Sequence, residues 1–295
     1  MLRILLKNIA IATVIAVACL SAASIMIKKN QTTRYAVFAG YNIDGTLPPY
    51  VLTYLKALNE VCDGVVYIAD SELNPKEEAK LSPLTIHYEN KRHTEYDFGS
   101  YKRGYQWLKQ NGYLENADEL IFANDSAYAP MTSFKPMFEE MSKRQDLDFW
   151  GDLQNTRFTK HIQTYFFVIR KKIIHSKAFA DFMNNITHQP DSSLYITEYE
   201  VKLTPMLENL GYKWDTYMPY KELSFLEKDS DKNTYPLTLI SKYNHQFLKR
   251  RTFTDKLPIY EDKTALLSYI KKHFPKRYKE IKIEINPIFL PKEDR

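Results

Sequence analysis

Glu119-Leu120-Ile121-Phe122-Ala123-Asn124-Asp125-Ser126 is a short apolar strand that runs straight into a polar cluster centred on one carboxylate. Apolar strands without polar alternation are buried on both faces, which parallel sheets flanked by helices provide. In an open α/β sheet, ligands sit beyond the carboxyl ends of the strands, which is where Asn124, Asp125 and Ser126 fall. A carboxylate there can hold a hard divalent cation against a diphosphate. The same three residues also suit an Asx turn, and both readings fit the motif.

The pattern around this strand is an alternation of strands and helices. Residues 35–39 form an apolar run that ends in the turn-rich stretch 40–45. Pro48 and Pro49 then open a helix with Val51, Leu55, Leu58 and Cys62 on one face, since proline suits a first turn. Gly64 stops it before a second strand at 65–69, a βαβ unit that implies a parallel pair with a right-handed crossover. A third strand is expected at 84–87, helices at 101–110, 134–144, 176–186 and 197–210, a short strand at 148–151 and a buried one at 163–170. The run 227–232 alternates charges and reads as a solvated loop.

The first thirty residues stand apart. Residues 9–27 carry no charged side chain. As a helix they would be about 28 Å long, close to a bilayer core. An uncleaved anchor, a cleaved signal peptide and a lipoprotein signal ending at Cys19 all fit, and the anchor is the preferred expectation. Basic residues flank the segment on both sides, so charge does not choose an orientation. Arg3, Lys7, Lys28 and Lys29 account for most of the net charge of +5; without them 37 basic residues face 36 acidic ones, or +1, which demotes nucleic acid as a partner. The two cysteines, Cys19 and Cys62, make no disulfide framework. Residues 242–282 hold 12 basic and 4 acidic side chains, a patch that suits an anionic lipid surface, a diphosphate or plain solvation.

The stretch 96–104 contains Asp97, Ser100, Lys102 and Arg103 at a helix start, where backbone N–H groups favour anions and the two basic side chains add charge for a phosphate. Asp97 or Ser100 would equally cap the helix. Glu198 and Glu200 precede another apolar helix, where carboxylates also complement the helix dipole.

Taken in order, these pieces resemble the rhamnan synthesis F family, a set of bacterial polysaccharide glycosyltransferases. The resemblance runs from about residue 35 to about residue 253. It rests on residues 36–41, 96–102 and 124–130, on Asp148-Phe149-Trp150-Gly151, and on residues 161–166, Tyr199-Glu200-Val201 and Phe247-Leu248-Lys249. The family often has Gly where Ala129 stands and Ser where Thr164 stands, both small changes. Its members are often longer and multi-domain.

The resemblance implies a GT-A-like nucleotide-binding α/β fold with a mixed, mostly parallel sheet flanked by helices. The expected organisation is a membrane anchor at 1–30, a glycosyltransferase domain at 31–255 and a basic helical extension at 256–295. Asp125 would bind a divalent metal (Mg or Mn), helped by His245 as a late ligand; Asn124 and Ser126 are not acidic, so the usual two-carboxylate motif is missing. Glu200, or else Glu198, would be the base that takes the acceptor's proton. Tyr41, Asn42, Asp97, Lys102, Arg103, Asn124, Ser126, Trp150 and His161 are expected to contact the nucleotide sugar. The partners implied are a nucleotide-sugar donor, such as deoxythymidine-diphosphate-rhamnose, a glycan or lipid-linked acceptor, and the cytoplasmic membrane. An exported, non-catalytic glycan-binding protein is the alternative, because abundant aromatics serve it equally well.

Overall fold

The computed structural model describes residues 32–219, 223, 231–254 and 258–294. Among these no helix is long and apolar enough to cross a membrane; the expected anchor, with Cys19, lies outside the described residues.

Eleven strands follow in order: β1 (Arg34–Gly40), β2 (Gly64–Ala69), β3 (His87–Asn90), β4 (Glu119–Asn124), β5 (Ala127–Tyr128), β6 (Phe149–Gly151), β7 (Gln154–Asn155), β8 (His161–Ile162), β9 (Phe166–Arg170), β10 (Trp214–Thr216) and β11 (Leu248–Lys249). Seven of them build the central sheet in the order β10-β6-β9-β4-β1-β2-β3. The pairs β1/β2, β1/β4, β2/β3 and β10/β6 are parallel, whereas β9 runs antiparallel to β4 and β6. The sheet is therefore mixed and mostly parallel. All six β4 residues are buried, as its unbroken apolar run requires.

Strand residues alternate between two apolar layers. Ala36, Phe38, Ile121, Ala123 and Val168 face Tyr54, Leu58, Phe138, Leu266, Ile270 and Ile281 from the helices Pro49–Asn59, Lys135–Lys143, Lys263–His273 and Pro275–Ile281. Val37, Ala39, Leu120, Phe122 and Phe167 face Tyr101, Tyr105, Phe179 and Leu203 from Tyr96–Gln110, Lys177–Asn184 and Val201–Asn209. The result is a sheet between two helical layers. The basic helices expected as an extension share the first core, and Arg34–Arg295 is one compact unit. Helix Tyr96–Gln110 comes so close to β1 that a Cβ on Gly104 would lie 2.3 Å from Val37.

Some details differ from expectation: the helix expected at 101–110 already starts at Tyr96, and Cys62 lies past the end of the helix Pro49–Asn59. The third strand lies three residues later, at His87–Asn90, as a half-buried edge strand with little apolar pattern to mark it. At the end of the charge run 227–232, Asp231 and Lys232 are buried rather than solvated. Asp231 caps the turn Lys232–Thr234 and pairs with Arg251 at 2.8 Å; the rest of that run lies outside the described residues.

Candidate functional site

The carboxyl ends of β1 and β4 meet at Asp125. Its amide donates to the Ala39 carbonyl at 3.2 Å, and its Oδ2 accepts the Tyr41 amide at 2.8 Å. The Asn124 side chain faces both ways. Its Nδ2 donates to Asp97 Oδ2 at 2.7 Å, while its Oδ1 accepts the amide and hydroxyl of Ser126 at 3.1 and 2.6 Å. The Asx turn is thus real, and it joins the β4 end to Asp97 at the start of helix Tyr96–Gln110.

That helix start is held by Asp70, just past β2. Asp70 Oδ1 accepts the amides of His93 and Thr94, both at 2.7 Å, and Oδ2 accepts that of Tyr96 at 3.3 Å. Thr94 and Tyr96 have φ of 60° and 52°, a left-handed conformation costly for side chains of this kind. The Asp70 bonds hold this backbone and so fix where Asp97 points. Nothing in the local sequence signalled this role.

Glu200 enters from the same helical layer as helix Tyr96–Gln110. A π-helical turn, Ile196–Glu200, precedes helix Val201–Asn209; such turns re-aim side chains and recur at functional sites. Thr164 Oγ1 donates to Glu200 Oε2 at 2.7 Å, and His161 Nε2 lies 3.6 Å from Oε1. His161 Nδ1–H donates to the Thr159 carbonyl at 2.8 Å, which leaves Nε2 for Glu200. Glu198 points outward instead and pairs with Lys202 at 2.5 Å, so it is a solvated surface acid.

A cation closes the group. Strand β11 pairs antiparallel with β5, Lys249 opposite Ala127. The ribbon sets Lys249 Nζ 2.7 Å from Ser126 Oγ and 4.0 Å from the centre of the Tyr165 ring. Lys249 is only 7% exposed. In the sequence Phe247-Leu248-Lys249 carries no chemical signal beyond its switch from apolar to basic.

The electrostatics follow from burial. Desolvation, then the neighbouring Asp125 charge, pushes the Asp97 carboxyl up to about 7. Desolvation pushes Asp125 up to about 6 against the pull of Arg250 and the Tyr41 amide. Burial also raises Glu200, but hydrogen bonding from His161 and Thr164 outweighs it and holds the carboxyl below its ordinary value. For His161 burial lowers basicity, and Glu200 and the Thr159 carbonyl overcome it, so its pKa is raised. Burial brings the Lys249 ammonium down to about 8. Carboxylates pushed to opposite sides of their ordinary values within one cluster are the pattern of an acid–base site.

Several expected contacts lie elsewhere. Lys102 Nζ donates to the Ile186 carbonyl at 2.7 Å, and Arg103 pairs with Glu95 at 2.5 Å, so both cations are spent on the helix's own surroundings. Trp150 is fully buried against Phe138 and Phe166 and cannot stack on a sugar. Asn42 spends its side chain on Asp44 and Thr46 within its own loop. Tyr41 stays exposed at the rim under the Arg92 guanidinium.

His245 does not join Asp125. It is 1% exposed and its Nε2 meets Asp152 at 2.6 Å, with Tyr165 donating to the same carboxylate oxygen. A divalent metal at Asp125 would need further ligands, yet Asn124, Ser126 and Glu200 are already tied to neighbours and an ammonium sits on Ser126. Among the described residues no group of three or more His, Cys, Asp or Glu is arranged to hold a metal ion. A divalent cation at Asp125 would therefore have Asp97 as a neighbouring carboxylate and would draw its remaining ligands from substrate phosphates and water.

A 790 Å³ cavity lies beside Lys109, His175 and Asp181, and one of 530 Å³ lies between helix Pro49–Asn59 and residues 273–277. Neither touches the carboxylate cluster.

A family model described as rhamnan synthesis protein F matches residues 65–280. Over 146 residues the chain is 29% identical to the virulence protein VirA of Vibrio anguillarum, covering 48% of this chain and 44% of that protein. The chain thus spans less than half the length of that relative. A cytidylyltransferase structure from Leptospira borgpetersenii is similar at 13% identity and TM-score 0.40, over 84% of this chain and 97% of that one. Core-mannan synthase A from Aspergillus fumigatus, in a Mn/GDP form, is similar at 10% identity and TM-score 0.34, over 52% and 64%. Likeness this loose carries no conclusion about substrate or metal.

Proposed function

The chain belongs to the rhamnan synthesis protein F family, and from that premise we propose that it is a glycosyltransferase. It moves a sugar from a nucleotide-diphosphate donor to a hydroxyl of a growing cell-surface polysaccharide or lipopolysaccharide. The observation that carries this reading is Glu200. It is a carboxylate held ionised by Thr164 and His161, in the same cluster as Asp97 and Asp125 at the carboxyl ends of the parallel strands.

In the reaction the acceptor oxygen attacks the anomeric carbon of the donor. The bond from that carbon to the diphosphate oxygen breaks, and its electron pair leaves with the nucleoside diphosphate. Glu200 takes the acceptor's proton. Its depressed pKa keeps it ready over the neutral range, at some cost in basicity. His161 behind it supports the ionised form. Asp125 and Ser126 line the donor side, where the strand ends and the turn amides meet the diphosphate. Rhamnose is the expected sugar and a membrane anchor at residues 1–30 the expected means of reaching a lipid-linked acceptor.

The test is release of nucleoside diphosphate by purified protein from a panel of nucleotide sugars with candidate acceptors. Turnover with one donor, lost in Glu200→Gln, supports the reading. No turnover, together with no thermal stabilisation by any nucleoside diphosphate, would sink it and favour a glycan-binding protein. A reporter fused after Arg295 that is active only outside the cytoplasm would contradict the expected cytoplasmic side.

A further inference from the structure

Lys249 is a buried ammonium that, among the described residues, feels the charges of Glu200, Asp231 and Asp97 without a close ion pair to any of them. The group has three N–H donors, and one of them goes to Ser126 Oγ at 2.7 Å. Among the described residues no carboxylate lies within 4.0 Å of it. Its neighbours are otherwise engaged: Arg251 with Asp231 at 2.8 Å, Arg250 with Glu284 at 3.3 Å, and Glu200 with Thr164. A buried charge lacking a close partner is costly, and such groups concentrate where ligands are handled. The position is built rather than incidental. The β5/β11 ribbon begins two residues after Asp125, and the Arg250 amide extends it by donating to the Ser126 carbonyl at 2.9 Å. The Tyr165 ring underneath is fixed by its hydroxyl bond to Asp152.

We infer that Lys249 is the cation that receives the donor's diphosphate, so that nucleoside diphosphates bind this chain without a divalent metal. The inference rests on the glycosyltransferase reading and supplies what the missing second acid and the committed side chains around Asp125 leave open. Among the described residues the other two N–H bonds of Lys249 have no hydrogen-bond acceptor, and they lie beside Ser126 where diphosphate oxygens would meet them. As the bond to the anomeric carbon breaks, the negative charge gathering on the leaving diphosphate falls next to a fixed positive one. An ammonium in place of a metal needs no loading step and no carboxylate pair.

The experiment is calorimetric titration of the full chain with UDP, GDP and dTDP, after metal stripping, in EDTA and again in Mn²⁺. At least one nucleotide is expected to bind with affinities within about threefold of each other in the two buffers, a difference of well under 1 kcal/mol. Lys249→Met should weaken that binding by about tenfold or more, the loss of one charge-assisted hydrogen bond. Lys249→Arg should restore most of it. The wild-type comparison stands even if the methionine variant does not fold. Binding that appears only with Mn²⁺ and is unchanged in Lys249→Met overturns the inference and leaves the glycosyltransferase reading intact. No binding of any nucleotide in either buffer overturns that reading and this inference with it.

Discussion

Strand β4 carries a carboxylate at each end, and the two ends have opposite fates. At the amino end Glu119 is nearly buried, yet Arg34 Nε donates to it at 2.5 Å and Arg170 Nε at 3.1 Å. Arg170 spends its other N–H groups on the carbonyls of Met141, Arg144 and Leu147, at the end of helix Lys135–Lys143. Every charge there has a close partner. At the carboxyl end Asp97, Asp125 and Glu200 crowd together with Lys249, and none of these four forms an Asp/Glu–Lys/Arg pair within 4.0 Å among the described residues. Charges of the first kind hold a fold together. Those of the second kind cost stability and are kept where a ligand or a proton has to be handled.

The sharpest way to test this contrast is to neutralise one acid at each end. Glu200→Gln should cut turnover by about 10²–10⁴-fold, the usual worth of a positioned base, while donor affinity and melting temperature hardly move. Glu119→Ala should do the reverse. Two guanidiniums lose a buried partner, although Arg170 keeps its three carbonyls, so urea unfolding should show a loss of about 2–3 kcal/mol with turnover per folded molecule retained. If Glu119→Ala abolished activity in folded protein, the division of labour between the ends would be wrong.

The pH dependence separates the ends more finely. Because the Asp97 pKa is raised to about 7, the folded chain keeps a proton that the unfolded chain gives up from about pH 4. Stability therefore falls as pH rises from about 4 to about 7 and levels off above that. Asp97→Asn keeps an acceptor for Asn124 and removes the effect. Its stability should match the wild type near pH 4 and exceed it by about 1–2 kcal/mol near pH 8. A variant less stable at both pH values would contradict a strained ionised Asp97. The smallest effect belongs to Lys102→Ala. It should lose a single hydrogen bond to Ile186, about 1 kcal/mol or less, with kcat/KM unchanged; a large loss of donor affinity would return Lys102 to the phosphate site.

The parallel framework was legible because buried strands write themselves as apolar runs. Residues 35–39, 65–69 and 120–123 fall within β1, β2 and β4, and the Pro48-Pro49 helix start is where it was expected. The positions of Asp125 just past a strand end and of Glu200 ahead of an apolar helix were legible too. Illegible were features set by distant partners. Strand β9 was expected from residue 163 and begins at Phe166, because Thr164 turns to Glu200 and the Tyr165 ring to Lys249. The β5/β11 ribbon pairs two residues with two others more than a hundred positions away, too short to leave a periodic signal. Lys102 and Arg103 sit at a helix start and Trp150 at a strand, as their sequence context suggests, yet the fold gives each a nearer partner.

Hydrogen exchange with and without the donor found by screening would test most directly which end of the sheet is the site. Protection is expected in peptides spanning residues 39–41, 96–101, 124–128, 161–166 and 247–251, with no change around Arg34, Glu119 and Arg170. Protection confined to residues 105–115 and 174–184, beside the 790 Å³ cavity, with none at 124–128, would place the ligand at the wrong end and contradict the site.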